Sequence, residues 1–326
     1  MEDKEIRKIL ILRTEHIGDY LITLPAIAAL RKKYPKAIID MVVGSWNKEL
    51  ASATPYIDNV IIFDNPLTKR NISILGILKE ITFGRKKYLE LFNRLNKENY
   101  DLLINFSDRK NSKFLNKNIL AKYKISGRPA GEDVLEIERC LNMVSSNKKV
   151  NSVQLKYKTE DITKVRELIK KNHLNKNIIL CHIITPLKER TWDMDKWSEL
   201  LMRLIDKFDS KILLIGSEKD KANLDSLNEK VNNKLIVIAG ELNLIQLRLL
   251  MEKANLFIGS GSGPMYLCET TDTPIIGIMG PLSPPKWNLY KKDNLVIRSD
   301  DLGSLNVDEV YDKIITYLNN HPNIIK

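Results

Sequence analysis

The sequence predicts an α/β protein made of two doubly wound parallel sheets in tandem. Three observations carry that expectation. Short apolar, β-rich runs alternate with segments of helical period along the whole chain, which is the rhythm of βαβ units. The alternation breaks once, at a polar Lys/Asn/Ser-rich passage near 145–160. The 326 residues also suit two domains, at roughly 100–200 residues each. The expected division is 1–155 and 156–326, two Rossmann-like domains facing across a cleft, the last helix being free to pack back on the first domain.

The first series opens with "KILILR" (8–13), followed by a helical segment near 20–34. Strand runs follow at "IIDMVVG" (38–44), "VIIFD" (60–64), "YDLLINFS" (100–107) and "YKISG" (123–127). The segment 70–98 differs: Ile74, Leu78, Ile81, Leu91, Phe92 and Leu95 sit among Lys and Arg. Packing on its own domain is expected, although basic amphipathic segments also lie on membrane surfaces. In the second series, Ile162, Val165, Leu168 and Ile169 have helical spacing in "DITKVRELIKKNHL" (161–174). "NIILCHI" (177–183), a helix at 195–208, "KILLIG" (211–216) and "LIVIAG" (235–240) come next. A helix at 243–254, "LFIGS" (256–260), "PIIGIMG" (274–280) and a helix near 306–319 complete it. No tandem repeat of solenoid period is present.

Hydrophobic residues make up 43% and charged residues 29%, the balance of a soluble globular protein. Cys140, Cys181 and Cys268 are odd in number and far apart. They read as buried free thiols in a reducing compartment, not as disulfides or a zinc site. No export signal opens the chain, and no apolar run approaches the about 18 residues of a membrane span. A cytoplasmic location is expected. The net charge of +11 is concentrated: residues 66–128 hold fifteen Lys/Arg against five Asp/Glu. Such a field suits an anionic partner, whether nucleic acid, anionic lipid headgroups or a phosphorylated glycolipid; solvated surface lysines are the plainer account. No base-stacking or groove-reading motif is present, so no nucleic-acid partner is expected.

Three stretches could carry chemistry. "RTEHIGDY" (13–20) places Arg13, Glu15, His16 and Asp19 at the first strand-to-helix turn, where open α/β sheets bind ligands. Asp19 either caps the helix or does chemistry. In "FIGSGSGPMYLCET" (257–270), a strand runs into Ser260-Gly261-Ser262-Gly263 and Pro264 opens a helix. Glycines allow close backbone approach, helix-start N–H groups favour an anion, and the serines add hydroxyl donors. A phosphate or diphosphate is the natural guest, a ligand-free tight turn the alternative. In "CHIITPLKERTWDMDKW" (181–197), His182 and Thr185 lie at a strand exit, Lys188 and Arg190 follow in the loop, and Asp193 or Asp195 caps the next helix. A cationic loop there can neutralise a leaving diphosphate. Glu218 and Asp220 follow another strand, where a carboxylate can hold a ribose. His16, His173, His182 and His321 are scattered, and no metal-ligand spacing, G-x-S-x-G elbow or Walker loop occurs.

Together and in this order, these stretches resemble glycosyltransferase family 9, the lipopolysaccharide heptosyltransferases. "ILILRTEHIGDYLITLPAIAALRKKYP" is similar to the family's opening, and "AGELNLIQLRLLMEKANLFIGSGSGPMYLCETTDTPIIGIMGPLSP" to its most specific segment. The resemblance implies a GT-B architecture. It implies inverting, metal-independent transfer from a nucleotide sugar, ADP-heptose favoured, to an anionic lipid-linked saccharide, with no cofactor. The cytoplasmic face of the inner membrane would be the place, with peripheral contact allowed. By the same resemblance Asp19 would be the general base, with Arg13, Thr14, His16 and Gly18 on the acceptor side. Thr185, Lys188 or Arg190, Asp220, Ser260, Gly261, Ser262, Gly263 and Tyr266 would hold the donor. Two positions depart: the family usually has Asp where Gly261 stands and His where Tyr266 stands. They leave open another nucleotide sugar serving a different surface glycan, Tyr266 hydrogen-bonding in the histidine's place, or a domain without activity; a separate alternative, from another class, is a non-catalytic binder of anionic polymer.

Overall fold

The structure, a computed structural model, describes residues 6–65, 74–127, 134–145, 153–175, 177–291 and 293–325, with the backbone alone described at 74–83 and 188. By internal packing the chain divides into Met1–Lys156 and Tyr157–Lys326.

In the first unit the elements run β1 (Lys8–Arg13), α1 (Ile17–Lys33), β2 (Ile38–Val43), α2 (Lys48–Ala53), β3 (Asn59–Ile62), α3 (Ile74–Asn96), β4 (Tyr100–Asn105), α4 (Lys110–Asn118), β5 (Ala121–Ser126) and α5 (Glu136–Met143). The described strands form one parallel sheet in the order β3-β2-β1-β4-β5. β1 is apolar throughout because both its faces are covered: Ile9, Leu10, Ile11 and Leu12 are fully buried. β5, at the edge, alternates half-buried and exposed residues. α1 is apolar nearly all round, with Tyr20, Leu21, Leu24, Ala26 and Ile27 buried. Leu91 and Leu95 of α3 pack on Leu10, Leu12, Tyr100 and Leu103, so the second half of the 70–98 segment belongs to its own core. The side chains of Ile74, Leu78 and Ile81 lie outside the described residues.

The second unit runs α6 (Thr159–Lys171), β6 (Ile178–His182), α7 (Met194–Lys207), β7 (Lys211–Leu214), α8 (Lys221–Lys230), β8 (Ile236–Val237), α9 (Leu244–Met251), β9 (Leu256–Ser260), α10 (Gly263–Glu269), β10 (Ile275–Met279), β11 (Leu295–Arg298) and α11 (Val307–Asn320). Its parallel sheet has the order β11-β10-β9-β6-β7-β8. Asp193 is the cap of α7, accepting from the backbone N–H of Asp195 at 2.9 Å and Lys196 at 3.2 Å. Trp192 and Trp197 are buried edge to face, and the Trp192 indole donates to the Leu305 carbonyl at 3.1 Å. α11 buries Val310, Ile314, Tyr317 and Leu318 in that same core, so its apolar face is taken up within its own unit. Cys140, Cys181 and Cys268 are buried free thiols.

Each sheet has one place where the chain order reverses: between β1 and β4 in the first unit, and between β6 and β9 in the second. Ligands of open α/β sheets bind beyond the strand carboxyl ends at such a reversal. Those ends carry Arg13 and Asn105 in one sheet, His182 and Ser260 in the other.

Candidate active site

In the first unit the turn after β1 brings Asp19 to the third position of α1. Its Oδ2 accepts the His16 backbone N–H at 3.2 Å, which ties the helix start. Arg13, at the end of β1, turns back under it: Nε donates to the Asp19 carbonyl at 2.9 Å, and Nη2 lies 3.6 Å from Asp19 Oδ1. The half-exposed Arg109, just past β4, places Nη2 3.9 Å from Asp19 Oδ2. Asp19 is 9% exposed and so retains a narrow opening to solvent.

Below this pair lies a second charge layer. Arg13 Nη1 donates to the Phe106 carbonyl at 3.0 Å and lies 3.9 Å from Glu15 Oε2. Arg13 Nη2 lies 3.9 Å from Glu136 Oε1 on α5. Arg139, one turn further on α5, binds both oxygens of Glu136 and donates to the same Phe106 carbonyl. The Arg13 guanidinium titrates above its ordinary range: burial acts against its charge, but Asp19 and then Glu15 outweigh that. The Cys140 thiol beside them is pushed up to about 11, chiefly by burial, and is neutral.

The loop after β2 closes on the same turn. Trp46 Nε1 at 2.6 Å and Asn47 Nδ2 at 2.8 Å both donate to the Glu15 carbonyl. The His16 ring lies 5.8 Å from the Trp46 ring. Gly44 makes this possible, because a Cβ there would stand 2.5 Å from the indole.

In the second unit Ser262 is the cap residue of α10. Its Oγ lies 2.9 Å from His182 Nδ1 and 3.1 Å from the Ser260 carbonyl. Burial pushes His182 down to about 4 against a weaker opposing pull from Asp220, so the ring is neutral at neutral pH. Gly261 packs on the loop after β10: a Cβ would lie 2.9 Å from Ser283 Oγ. The Tyr266 hydroxyl donates to the Trp287 carbonyl at 2.6 Å, holding that same loop.

The remaining donor-side candidates are engaged in shaping their loops. Thr185 Oγ1 donates to the Leu187 carbonyl at 2.7 Å, and its backbone N–H donates to Thr191 Oγ1 at 3.1 Å. Arg190 Nη2 donates to the Leu282 carbonyl at 2.6 Å, reaching the loop that carries Ser283. Asp220 Oδ2 accepts both N–H and Oγ–H of Ser217 at 2.8 and 2.6 Å. Glu218 lies against Gly240, which has φ +78°; a Cβ there would meet Glu218 Oε2 at 2.1 Å. The Lys188 side chain lies outside the described residues.

Arg13, His16 and Asp19 are thus brought together, as are Ser260, Gly261, Ser262 and Tyr266 around one loop. Gly18 sits half-buried between His16 and Asp19 in the first turn of α1, and Thr14 is fully buried beside them. Trp46, Arg109, Glu136 and Arg139 were not singled out from the sequence. Arg109 was findable, since it follows "YDLLINFS" at a strand exit like the others. Glu136 and Arg139 gave no signal beyond an ordinary helical charge pair.

Among the described residues no three or more His, Cys, Asp or Glu side chains form a group able to hold a metal, and no helix is long and apolar enough to cross a membrane. The chain is 22% identical over 325 residues to lipopolysaccharide heptosyltransferase 3 of Escherichia coli, covering 92% of each. The structure of a glycosyl transferase family 9 protein from Veillonella parvula DSM 2008 matches with a TM-score of 0.81 at 18% identity, over 97% of this chain and 99% of that one. The structure of E. coli ADP-heptose lipopolysaccharide heptosyltransferase II matches at 0.73 and 18%, over 97% and 99%. These likenesses give the fold as that of the GT-B heptosyltransferase structures. The profile of glycosyltransferase family 9 (heptosyltransferase) matches residues 88–312. The chain belongs to glycosyltransferase family 9.

Proposed function

We propose that the protein is an inverting, metal-independent glycosyltransferase that moves heptose from ADP-heptose to an anionic, lipid-linked saccharide of the lipopolysaccharide core. The observation that carries this reading is the Asp19 carboxylate, tied to the start of α1 and flanked by Arg13 and Arg109 at the chain reversal of the first sheet. The relative and the structural neighbour named for heptosyl transfer support the donor.

In this mechanism Asp19 takes the proton of an acceptor hydroxyl as its oxygen attacks the anomeric carbon of the donor. The bond to the diphosphate breaks on the opposite face, which inverts the anomeric centre. The developing charge is oxocarbenium-like on the sugar and anionic on the diphosphate. The half-exposed Arg109 holds a negative group of the acceptor, with Arg13, Thr14, His16 and Gly18 shaping the turn around it. The bend Ser260–Gly263 receives the diphosphate, Lys188 and Arg190 offset its charge, and Thr185 fixes their loop. Asp220 holds the ribose, and Tyr266 replaces the family's histidine beside the sugar. The reaction runs at the cytoplasmic face of the inner membrane, in peripheral contact with it.

A second donor is favoured by one pair of observations. Ser283 occupies the space a side chain at 261 would need, and Tyr266 is committed to Trp287. These suit a nucleotide sugar other than ADP-heptose on the same fold. A panel of nucleotide sugars with a lipopolysaccharide-core extract as acceptor decides between them by which donor is consumed. In the same assay Asp19→Asn should keep nucleotide binding and lose about 10²–10⁴ in turnover, the usual worth of a general base. Unchanged turnover would remove Asp19 from that role.

A further inference from the structure

Glu15 presents a problem that its fold position does not solve. The residue is fully buried, and neither carboxylate oxygen has a hydrogen-bond partner among the described residues. The charge facing it is Arg13, with Nη1 3.9 Å from Oε2. Burying a carboxylate without hydrogen bonds is costly, and a neutral side chain of the same size would avoid the cost. What the position supplies is therefore the negative charge itself.

The charges around Asp19 show what that charge does. β1 contributes Arg13, and the turn after it Glu15 and His16. The loop after β4 contributes Asp108 and Arg109, and α5 contributes Glu136, Arg139 and the neutral Cys140 thiol. Arg139 is engaged with Glu136 through both carboxylate oxygens. In this deep layer Arg13 and Arg139 meet Glu136 and Glu15, two charges against two. Remove Glu15 and Arg13 is left with a surplus charge, its Nη2 already 3.6 Å from Asp19 Oδ1. Asp19 would then pair more strongly with a buried guanidinium that Glu136, already engaged by Arg139, faces at 3.9 Å. A carboxylate so paired resists protonation and is a weak base.

We propose that Glu15 is a charge-balancing residue for Asp19: by sharing the Arg13 guanidinium it reduces the share of that arginine's charge that falls on Asp19 and so keeps Asp19 able to accept a proton. Glu15 touches no substrate; it acts through Arg13. The proposal rests on the reading of Asp19 as general base, but its test does not need turnover.

The test is a carbon-13 NMR titration of aspartate carboxyls in the full-length protein, with Asp19 assigned by its loss in Asp19→Asn. In Glu15→Gln the Asp19 midpoint should fall by about one pH unit, the effect of one unit charge at an effective dielectric near 20. In Glu15→Asp, which keeps the charge, it should stay within a few tenths of the unsubstituted protein. Should Glu15→Gln fail to fold, Glu136→Gln removes the other balancing charge and carries the same expectation. A midpoint unmoved in the neutral variant, or moved equally in both Glu15 variants, overturns the proposal. Where a nucleotide sugar is turned over, the acid limb of the kcat profile should move with the NMR midpoint. Midpoints that move as expected in a protein that transfers no sugar would sink the transferase reading and leave this one standing.

Discussion

Glu269→Gln should stabilise the second unit at neutral pH and leave it unchanged in acid. Glu269 closes α10, and its Oε1 accepts the backbone N–H of Tyr290 and, at 3.2 Å, of Lys291. Burial raises its pKa from the ordinary 4.5 to about 7, those N–H groups and Lys291 only partly offsetting it. Between those values the folded protein binds more protons than the unfolded one, so stability falls as pH rises through the window. The 2.5-unit difference is worth about 3 kcal/mol at 1.36 kcal/mol per unit. The side chain is partly open to solvent, which brings the expectation nearer 2 kcal/mol. Glutamine keeps the accepting oxygen and removes the charge, so the gain should appear above pH 7 and vanish near pH 4. His182 works in the other direction. Its pKa falls from 6.5 to about 4 through burial, so stability is full above 6.5 and is lost as pH drops towards 4, by about 3 kcal/mol. In the unsubstituted protein the two slopes largely cancel, and stability should be nearly level from pH 4 to 8. Glu269→Gln exposes the histidine slope alone. Urea unfolding across that range, read by the fluorescence of Trp192, Trp197 and Trp287 in a Trp46→Phe background, measures both curves. Equal midpoints for Glu269→Gln and its parent at pH 7.5 would refute the reasoning.

Two further expectations concern the donor side. Gly261→Asp should destabilise the protein by about 1–3 kcal/mol, as overpacking does, because its Cβ would lie 2.9 Å from Ser283 Oγ; thermal melts should show Ser283→Gly recovering most of that loss. Excess chelator should leave turnover within about twofold if the cations of this chain do the electrostatic work of a metal, and loss of activity restored by one added ion would end the metal-independent reading.

The fold was legible wherever burial imposed a simple period. β1, β2, β4, β6, β9 and β10 are covered on both faces, so they read as unbroken apolar runs. β8 is reduced to Ile236–Val237 within "LIVIAG", although the run stays beside β7, Ile238 and Gly240 donating their backbone N–H groups to the Leu214 and Gly216 carbonyls at 3.0 Å. β11, an edge strand of four residues with one fully buried side chain, offered no comparable run and was not anticipated. The same contrast runs through the candidate site. Asp19 and the Ser260–Gly263 bend could be found because they follow strand ends in sequence. Glu136 and Arg139 act on the turn from more than a hundred residues away. Only the fold brings α5 under α1, and a Glu-x-x-Arg spacing looks the same on any solvated helix.

Gly261 and Tyr266 both meet the loop after β10. Ser283 fills the space beside Gly261, and Trp287, four residues later, receives the Tyr266 hydroxyl. The segment between them is held from three sides. Arg190 donates to the Leu282 carbonyl, Arg298 to the Ser283 carbonyl and to Asn288 Oδ1, and Glu269 accepts the backbone N–H of Tyr290. A side chain gained at 261 without a change at 283 meets an occupied space, and a histidine at 266 would forgo the Trp287 carbonyl unless its ring could reach it. Each position is thus matched to the part of the loop it meets, Gly261 to Ser283 and Tyr266 to the Trp287 carbonyl. The Tyr266 hydroxyl, the Arg298 guanidinium and the Glu269 carboxylate are all bonded, whereas Arg190 Nε is buried without a partner among the described residues. The bonding of this loop thus bears on the second donor proposed above, which the nucleotide-sugar panel tests.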